Sequence, residues 1–196
     1  MKKKIWIFII LLVSIVSVFV VFKVNAGART VEEAIHTFDP GPKDIIYQEK
    51  NDQGTIVFYS HLHQDDLVVA VVSKKLTGHE VVYNGLQVDI EKVTSEFALT
   101  LSYLPAIEDT ALPLFFGLVS DSDITKIEVT EEAGDKKRQA EIITVDDMKI
   151  WLMYMKGFEG SKFEIVGLSD NGEEVVKIDE DISPYQADQK PFKSDY

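Results

Sequence analysis

The feature that most constrains this chain is an uninterrupted apolar run near the N-terminus, from Ile5 to Phe22. The run contains 18 residues, and its polar members are Ser14 and Ser17. An α-helix rises about 1.5 Å per residue, so a helix of this length spans about 27 Å and matches the hydrocarbon core of a bilayer. We therefore expect a transmembrane helix or the apolar part of a signal peptide at this position.

The charges around the run predict its orientation. Lysines at positions 2 to 4 precede the run, whereas Lys23 and Arg29 are the basic residues that follow it closely. Loops that stay in the cytoplasm carry the excess of positive charge. We therefore expect a single-pass membrane protein with a cytoplasmic N-terminus and a C-terminal domain outside the cytoplasmic membrane.

The residues after the run also match a signal-peptidase site. Val24 and Ala26 occupy the two positions at which that site requires small side chains. Against cleavage, the run is longer than the apolar core of most signal peptides, and Lys23 separates the core from the site. We expect a retained anchor, with residues 1–26 as the cytoplasmic tip and membrane segment. The alternative is a secreted protein, released by cleavage after Ala26.

Charge is distributed unevenly along the chain. The net charge is −13, but four of the 20 basic residues and none of the 33 acidic residues lie before Gly27. The part after Ala26 is therefore acidic, with a net charge near −17. Such a domain does not neutralise phosphate groups, which argues against nucleic acid as a partner and against electrostatic binding to anionic lipid headgroups.

The sequence contains no cysteine. This excludes disulfide bonds, thiolate metal ligands, a cysteine nucleophile and lipid attachment through an N-terminal cysteine. An exported domain without disulfides depends on its hydrophobic core for stability, which is typical of Gram-positive bacteria.

After the apolar run, the sequence predicts one short helix and then mainly strands. Thr30 can cap the helix, Glu33 completes a capping box, and Asp39 and Pro40 end the helix. Runs rich in Val, Ile, Phe and Tyr then alternate with turns of Gly, Asn and Asp, which is typical of β-strands. The predicted strands are Ile45–Glu49, Thr55–Leu62, Leu67–Leu76, Glu80–Tyr83, Phe97–Leu104, Ile124–Thr130, Arg138–Thr144, Met148–Met155, Lys162–Leu168 and Glu174–Ile178.

These elements predict an α+β or mainly β fold for one extracytoplasmic domain, residues 27–183. We expect two antiparallel β-meanders, in halves 27–105 and 106–183. Gly78–Val82 and Gly172–Val176 are similar, as expected either from a duplication or from shared turn-then-strand chemistry. The end of the chain lacks apolar periodicity and predicts an extended acidic tail at 184–196.

The apolar run Leu112–Val119 lies between the two halves. Pro113 and Gly117 interrupt it, so the run is a poor candidate for a strand and a worse one for a helix. We expect a connector that fills the core. The alternative is an exposed loop that docks on a partner.

One segment, at the end of the second predicted strand, contains residues that can bind a metal. It resembles the first metal motif of metallo-β-lactamase-like hydrolases, in which a strand delivers His-x-His-x-Asp-His to two zinc ions. His61, His63 and Asp65 match that motif, whereas Asp66 stands where the motif has its last histidine. The resemblance implies zinc-activated water as the nucleophile. However, the further downstream histidines of that family are missing, since His79 is the one histidine that follows.

A strand would direct the imidazoles of His61 and His63 to the same face, where weak metal chelation is physically feasible. Because the rest of the ligand set is missing, we expect a polar hairpin end at this position. We therefore predict no metal site here.

Other candidate sites are weaker. Asp121–Asp123 and Asp179–Asp181 could hold a hard cation, but neither has the loop spacing of a dedicated calcium site. Four aromatic residues could line a carbohydrate or peptide groove, although core packing is the simpler interpretation. They are Trp151, Tyr154, Phe158 and Phe163. The sequence has no Gly-x-Ser-x-Gly, no Ser-x-x-Lys and no glycine-rich phosphate loop. We assign no catalytic, cofactor-binding or metal-binding residue and expect no cofactor.

The order of these segments resembles a group of uncharacterised small membrane-anchored or secreted proteins of Bacillus-like bacteria. Besides the apolar N-terminus, the resemblance covers Gly54–Tyr59, Gly78–Val82, Gly117–Val129, Ala140–Ile143 and Trp151–Ile178. It implies a Gram-positive host and a location at the membrane or outside it. The group has no established activity, so the resemblance implies none for this chain.

We therefore predict a non-catalytic binding or interaction module at the membrane–wall interface, with a protein at the cell surface as its partner. One alternative is a sensor or inhibitor that acts on a neighbouring membrane protein through the apolar loop. A second alternative is a metal-dependent hydrolase that uses His61, His63 and Asp65.

Overall fold

The computed structural model describes Trp6 and residues 10–17, 27–108, 110–134 and 136–183. Residues 10–17 are helical. Within the described residues, no helix is both long enough and apolar enough to cross a membrane. The predicted membrane segment lies only partly inside the described residues, and the predicted cleavage site after Ala26 and the predicted tail lie outside them.

The described chain is mainly β, with antiparallel sheets and few helices, so the predicted β-rich fold is confirmed. After residue 27 it forms the helices α1 (Val31–Phe38) and α2 (Ile90–Glu96). The strands are β1 (Lys43–Asn51), β2 (Gly54–His61), β3 (Asp66–Lys75), β4 (Gly78–Asp89), β5 (Ser102–Leu104), β6 (Leu114–Val119), β7 (Lys126–Glu131), β8 (Lys136–Gln139), β9 (Glu141–Val145), β10 (Met148–Tyr154), β11 (Lys162–Leu168) and β12 (Glu174–Asp181).

The strands form three four-stranded sheets. The first sheet has the order β1-β2-β3-β4, the second β5-β6-β10-β9 and the third β12-β11-β7-β8. The second sheet is the middle layer, because its two faces belong to two different hydrophobic cores. A strand directs alternate side chains to opposite faces. Phe116 of β6 accordingly meets Phe58 of the first sheet, with ring centroids 5.6 Å apart. Phe115 meets Phe163 of the third sheet at 5.2 Å.

At Gly117 the middle sheet lies very close to the backbone of Thr100. The indole Nε1 of the fully buried Trp151 donates a hydrogen bond to the Thr100 carbonyl oxygen at 2.8 Å. A Cβ on Gly117 would lie 2.6 Å from that nitrogen and would overlap the Thr100 carbonyl group. Glycine at this position therefore leaves space for the backbone and the indole to meet.

Helix α1 covers the outer face of the first sheet. Its first turn is capped as predicted, since the Thr30 hydroxyl accepts a hydrogen bond from the Glu33 backbone N–H at 3.1 Å. The Glu33 carboxylate accepts a hydrogen bond from the Arg29 N–H at 2.7 Å. In the predicted capping box its donor would be the Thr30 N–H, so the partner of Glu33 differs from the prediction by one residue. The inward side of the helix is buried against β2, β3 and β4 through Val31, Ala34 and Ile35. This helix thus forms a fourth layer.

The expectation for Leu112–Val119 was right about burial and wrong about secondary structure. Residues Leu114–Val119 form β6, and every residue of this strand is buried. Its two neighbours in the middle sheet are β5 and β10. Pro113 immediately precedes this strand, and Gly117 lies within it where the Thr100 backbone leaves no room for a side chain. The two residues that argued against a strand are therefore compatible with one.

The second half of the domain differs from the predicted meander. Strands β1–β4 form a meander as predicted for the first half, but β5, which belongs to the same predicted half, joins the second sheet, and the later strands divide between the second and third sheets. The predicted strand Arg138–Thr144 breaks at Ala140, whose N–H donates to the Ile127 carbonyl oxygen at 2.8 Å. The chain crosses from the third sheet to the second at this residue. The predicted strand Phe97–Leu104 is a strand only at Ser102–Leu104, and α2 before it was not predicted.

Candidate functional site

The two ends of the first sheet carry different residues. We call one of them the near end, because the described domain begins there: Ala28 pairs with His79 at the start of β4, close to the turn between β3 and β4. The far end holds the last residues of α1, the turn between β2 and β3 and the first residues of α2. Strand β2 connects the two ends and is about 23 Å long at about 3.3 Å per residue. The candidate site lies at the far end.

His61 lies between two carboxylates that come from different elements. Asp39 follows α1 and Asp66 begins β3. The Nδ1 atom of His61 is 2.6 Å from Asp66 Oδ2, and Nε2 is 2.9 Å from Asp39 Oδ2. The second oxygen of Asp66 accepts a hydrogen bond from the His61 backbone N–H at 2.8 Å. The imidazole therefore joins the end of the helix to both strands of the hairpin.

The contacts of His61 favour the imidazolium form. An ionised carboxylate can only accept hydrogen bonds, so each of the two ring nitrogens needs an N–H to bond to its carboxylate. A neutral imidazole has one N–H and the imidazolium has two. The hydrogen bond to Asp66, followed by the one to Asp39, raises the pKa of His61 above its ordinary value, although partial burial opposes this shift. The side chain of Asp66 is 7% exposed and that of His61 is 23% exposed, so solvent screens the pair only in part.

Asp39 is the most heavily contacted group of the cluster. Besides His61, its Oδ2 accepts a hydrogen bond from the Tyr59 hydroxyl at 2.9 Å and lies 3.5 Å from Lys43 Nζ. Burial alone would raise the pKa of Asp39, but the hydrogen bonds from Tyr59 and His61 and the charge of Lys43 outweigh it. The pKa of Asp39 is therefore lowered.

Lys43 and Tyr59 complete the cluster. The side chain of Lys43 is almost fully buried. Its ammonium group donates to the backbone carbonyl groups of Asp39 and Gly41 and lies 5.5 Å from the centre of the Tyr59 ring. Burial, and then the bond to the Asp39 carboxylate, raises the pKa of the Tyr59 hydroxyl. That hydroxyl also accepts a hydrogen bond from Asn84 at 3.3 Å.

The cluster is suited to holding structure rather than to transferring a proton. Two carboxylates balance one lysine and one imidazolium, so the group carries no net charge. A general base needs a ring nitrogen with a free lone pair directed at the substrate. Both ring nitrogens of His61 face carboxylates instead. The arrangement therefore fastens α1 to the turn between β2 and β3.

The structure separates the residues that resembled a zinc motif. β2 ends at His61, and His63 lies in the following turn with a positive φ of 67°, exposed to solvent. Asp65 is exposed as well, and its carbonyl oxygen accepts a hydrogen bond from the Ile90 N–H at 2.8 Å. The strand does not reach His63, so the condition under which the two imidazoles would share a strand face is not met. Among the described residues, no three His, Asp or Glu side chains are placed to hold a metal ion.

The other candidates are placed as follows. Trp151 and Phe163 are fully buried in the core between the second and third sheets, so they do not line a groove. Asp121 closes a turn by accepting a hydrogen bond from the Asp123 N–H at 2.9 Å. Asp179 lies within β12, which extends three residues beyond the predicted strand. Sequence reasoning missed Asp39, since no local signal links it to His61.

Two exposed apolar residues lie at the far end beside the cluster, and a third ends the helix α2 that begins there. Phe38 precedes Asp39 and is 45% exposed, and Leu62 follows His61 and is 39% exposed. Phe97 is 54% exposed and ends α2, whose first residue bonds to the turn between β2 and β3. Single exposed apolar residues are ordinary, but these three belong to segments that hydrogen bonds bring together.

Comparison with protein family models, with curated proteins and with solved structures finds no match to this chain. Its function is therefore inferred from its own residues and their contacts.

Proposed function

We propose that this chain is a non-catalytic interaction module, tethered to the cytoplasmic membrane by its N-terminal segment and active on the outer side. The observation that carries the proposal is the run of 18 apolar residues preceded by three lysines and followed by an acidic β domain. The run has the length of a bilayer core, and its flanking charges favour a cytoplasmic N-terminus.

The start of the domain supports a short tether. Ala28, two residues after the predicted membrane and signal segment ends, pairs with His79 of the first sheet. A tether of this length keeps the near end beside the membrane and allows the far end to lie up to about 23 Å further out. The far end is then the part of the first sheet most accessible to another protein.

The partner-binding surface is the far end. Phe38 and Leu62 supply apolar side chains there, and Phe97 supplies another at the end of the helix α2 that begins there. The cluster around His61 fixes two of their three segments, since it ties the end of α1 to the turn between β2 and β3. Rigid presentation of apolar side chains lowers the entropy lost on binding.

The alternatives have less support. The sensor or inhibitor was expected to act through Leu112–Val119, but its residues 114–119 are buried inside the stack and are not free to dock. The hydrolase was expected to use His61, His63 and Asp65. His61 contacts Asp39 and Asp66 instead, while His63 and Asp65 are exposed in the turn.

Topology is tested with single cysteines, because the chain has none of its own. In intact bacterial cells, a membrane-impermeant maleimide should label Leu62→Cys, whereas Lys2→Cys should be labelled only after lysis. Labelling of Leu62→Cys only after lysis would place the domain in the cytoplasm and refute the proposal. N-terminal sequencing decides between an anchored chain and a mature chain that starts at Gly27.

The binding surface is tested with the same far-end variant. A photoreactive maleimide on Leu62→Cys should give one discrete crosslinked product in cells, and Phe97→Asp should remove it. Val175→Cys is the matched control, because Val175 is a similarly exposed apolar residue on the third sheet. Equal products from both cysteines, or none from either, would count against a far-end binding surface.

A further inference from the structure

The turn between β3 and β4 carries an exposed apolar side chain beside basic residues. Leu76 is fully exposed, and Lys74 and Lys75, which precede it, are exposed as well. Lys75 forms an ion pair with Glu80 across the hairpin, so its charge is partly balanced. We refer to residues 74–78 as the hairpin tip. It is a local basic and apolar feature in a strongly acidic domain.

The hairpin tip lies next to the point where the domain begins. The Ala28 N–H donates to the His79 carbonyl oxygen at 3.0 Å, and the His79 N–H donates back at 2.7 Å. Gly27 is so near that a Cβ on Gly78 would lie 2.6 Å from its carbonyl carbon. Phe22 ends the apolar run and precedes Ala28 by few residues, so extended chain separates the two by at most about 21 Å.

We propose that the hairpin tip docks on the bilayer surface beside the tether, with Leu76 at the boundary between headgroups and acyl chains and Lys74 against anionic headgroups. The inference rests on the proposed membrane tether. Anionic headgroups attract lysine ammonium groups, and the adjoining acyl region accepts an apolar side chain. The acidic remainder of the domain is repelled by the same lipids. These two effects together turn the near end towards the membrane and the far end away from it.

The experiment uses the full chain reconstituted in vesicles of phosphatidylethanolamine and phosphatidylglycerol. An environment-sensitive dye is attached to Leu76→Cys, and Leu62→Cys serves as the matched control, because both are exposed leucines in turns at opposite ends of the first sheet. The dye at position 76 should be quenched by lipids that carry a quencher near the headgroup, and the dye at position 62 should not. Unchanged thermal melting of both labelled chains confirms that the label leaves the fold intact.

Substitutions that remove one charge at a time distinguish the contributions of Lys74 and Lys75 to docking. A lysine at an anionic surface strengthens contact about fivefold, so Lys74→Gln should lower the ratio of docked to undocked chain about fivefold at low salt. Lys75→Gln should lower it less, since Lys75 is already paired with Glu80. Raising the salt concentration should weaken docking in the wild-type chain, because the charges are exposed to solvent.

Each of the other outcomes refutes the inference. If the chain floats with the vesicles but the dye at position 76 stays in water, the tether is retained and the docking is wrong. If the chain does not float with the vesicles, the tether and the docking both fail. If the dye is shielded in native membranes but not in pure lipid, a protein covers the tip and lipid does not.

Discussion

Replacing His61 tests the cluster most directly, and His63 supplies a matched control two residues away. We expect His61→Asn to destabilise the domain and His63→Asn to leave its stability nearly unchanged. His61 bonds to two carboxylates, whereas His63 is an exposed turn residue with φ of 67°. Asparagine tolerates that backbone conformation, so the same substitution is suitable at both positions.

The expected loss in the free energy of unfolding follows from the two hydrogen bonds that the His61 side chain makes to Asp66 and Asp39. A hydrogen bond to a charged group contributes about 1.5–3 kcal/mol. The bond to Asp66, which is 7% exposed, belongs near the upper end of that range, whereas the bond to Asp39, 23% exposed, belongs at or below its lower end. The two bonds together amount to about 4 kcal/mol, about 3 for the bond to Asp66 and about 1 for the bond to Asp39, and we expect a loss of this size for His61→Asn. Exposed substitutions such as His63→Asn stay within about 0.5 kcal/mol.

The effect should depend on pH with a defined sign. The pKa of His61 is raised above its ordinary value of 6.5, so the folded state binds this proton more tightly than the unfolded chain. The stabilisation is fully present below pH 6.5 and is lost as the pH rises through the folded pKa. The pKa of Asp39 is lowered from 3.8, so its contribution is present above that value and is lost as the pH falls through the folded pKa.

The assay is urea unfolding of the full chain in detergent, followed by the fluorescence of the buried Trp151 in a background in which Trp6 is replaced by Phe. The difference between wild type and His61→Asn should shrink by about 1 kcal/mol, the value of one lost bond, between mildly acidic and mildly alkaline pH. A difference that is equal at both pH values would refute the imidazolium assignment. An equal loss in His63→Asn would refute the role of the cluster.

Two further predictions concern the cores. Gly117→Ala should destabilise the domain by about 3 kcal/mol, because overpacking at a tight contact adds to the loss of a buried hydrogen bond to the Thr100 carbonyl group. Gly134→Ala, in an exposed turn, is the control for that variant, and equal melting temperatures for the two would contradict the close approach. Phe116→Ala should lower the free energy of unfolding by about 3–5 kcal/mol, because it leaves a cavity in the core between the first and second sheets. The control is Phe97→Ala at a residue that is 54% exposed, and similar urea midpoints for these two would show that the core assignment is wrong.

Much of the fold could be predicted because its signals are local. The cap on α1 depends on Thr30 and Glu33, which are three residues apart, and the meander β1–β4 depends on short turns between consecutive strands. The candidate site could not be predicted in the same way. Asp39 and His61 are 22 residues apart in the chain and meet only after α1 has packed on the first sheet.

The sequence by itself determined the features that adjacent residues decide: the apolar run of membrane-spanning length, the acidic character of the remainder, the capped helix and most of the strands. Tertiary structure alone decided the middle layer and the crossing between sheets. Pro113 and Gly117 argued against a strand in the run that forms β6, and only the assembled layers show that Gly117 is needed for the close approach of Thr100 and Trp151. The break at Ala140 exists because its N–H bonds to Ile127 of β7, a partner that only the assembled sheets supply. Local patterns report the surroundings of one segment, whereas sheet order and side-chain clusters depend on which distant segments share a core.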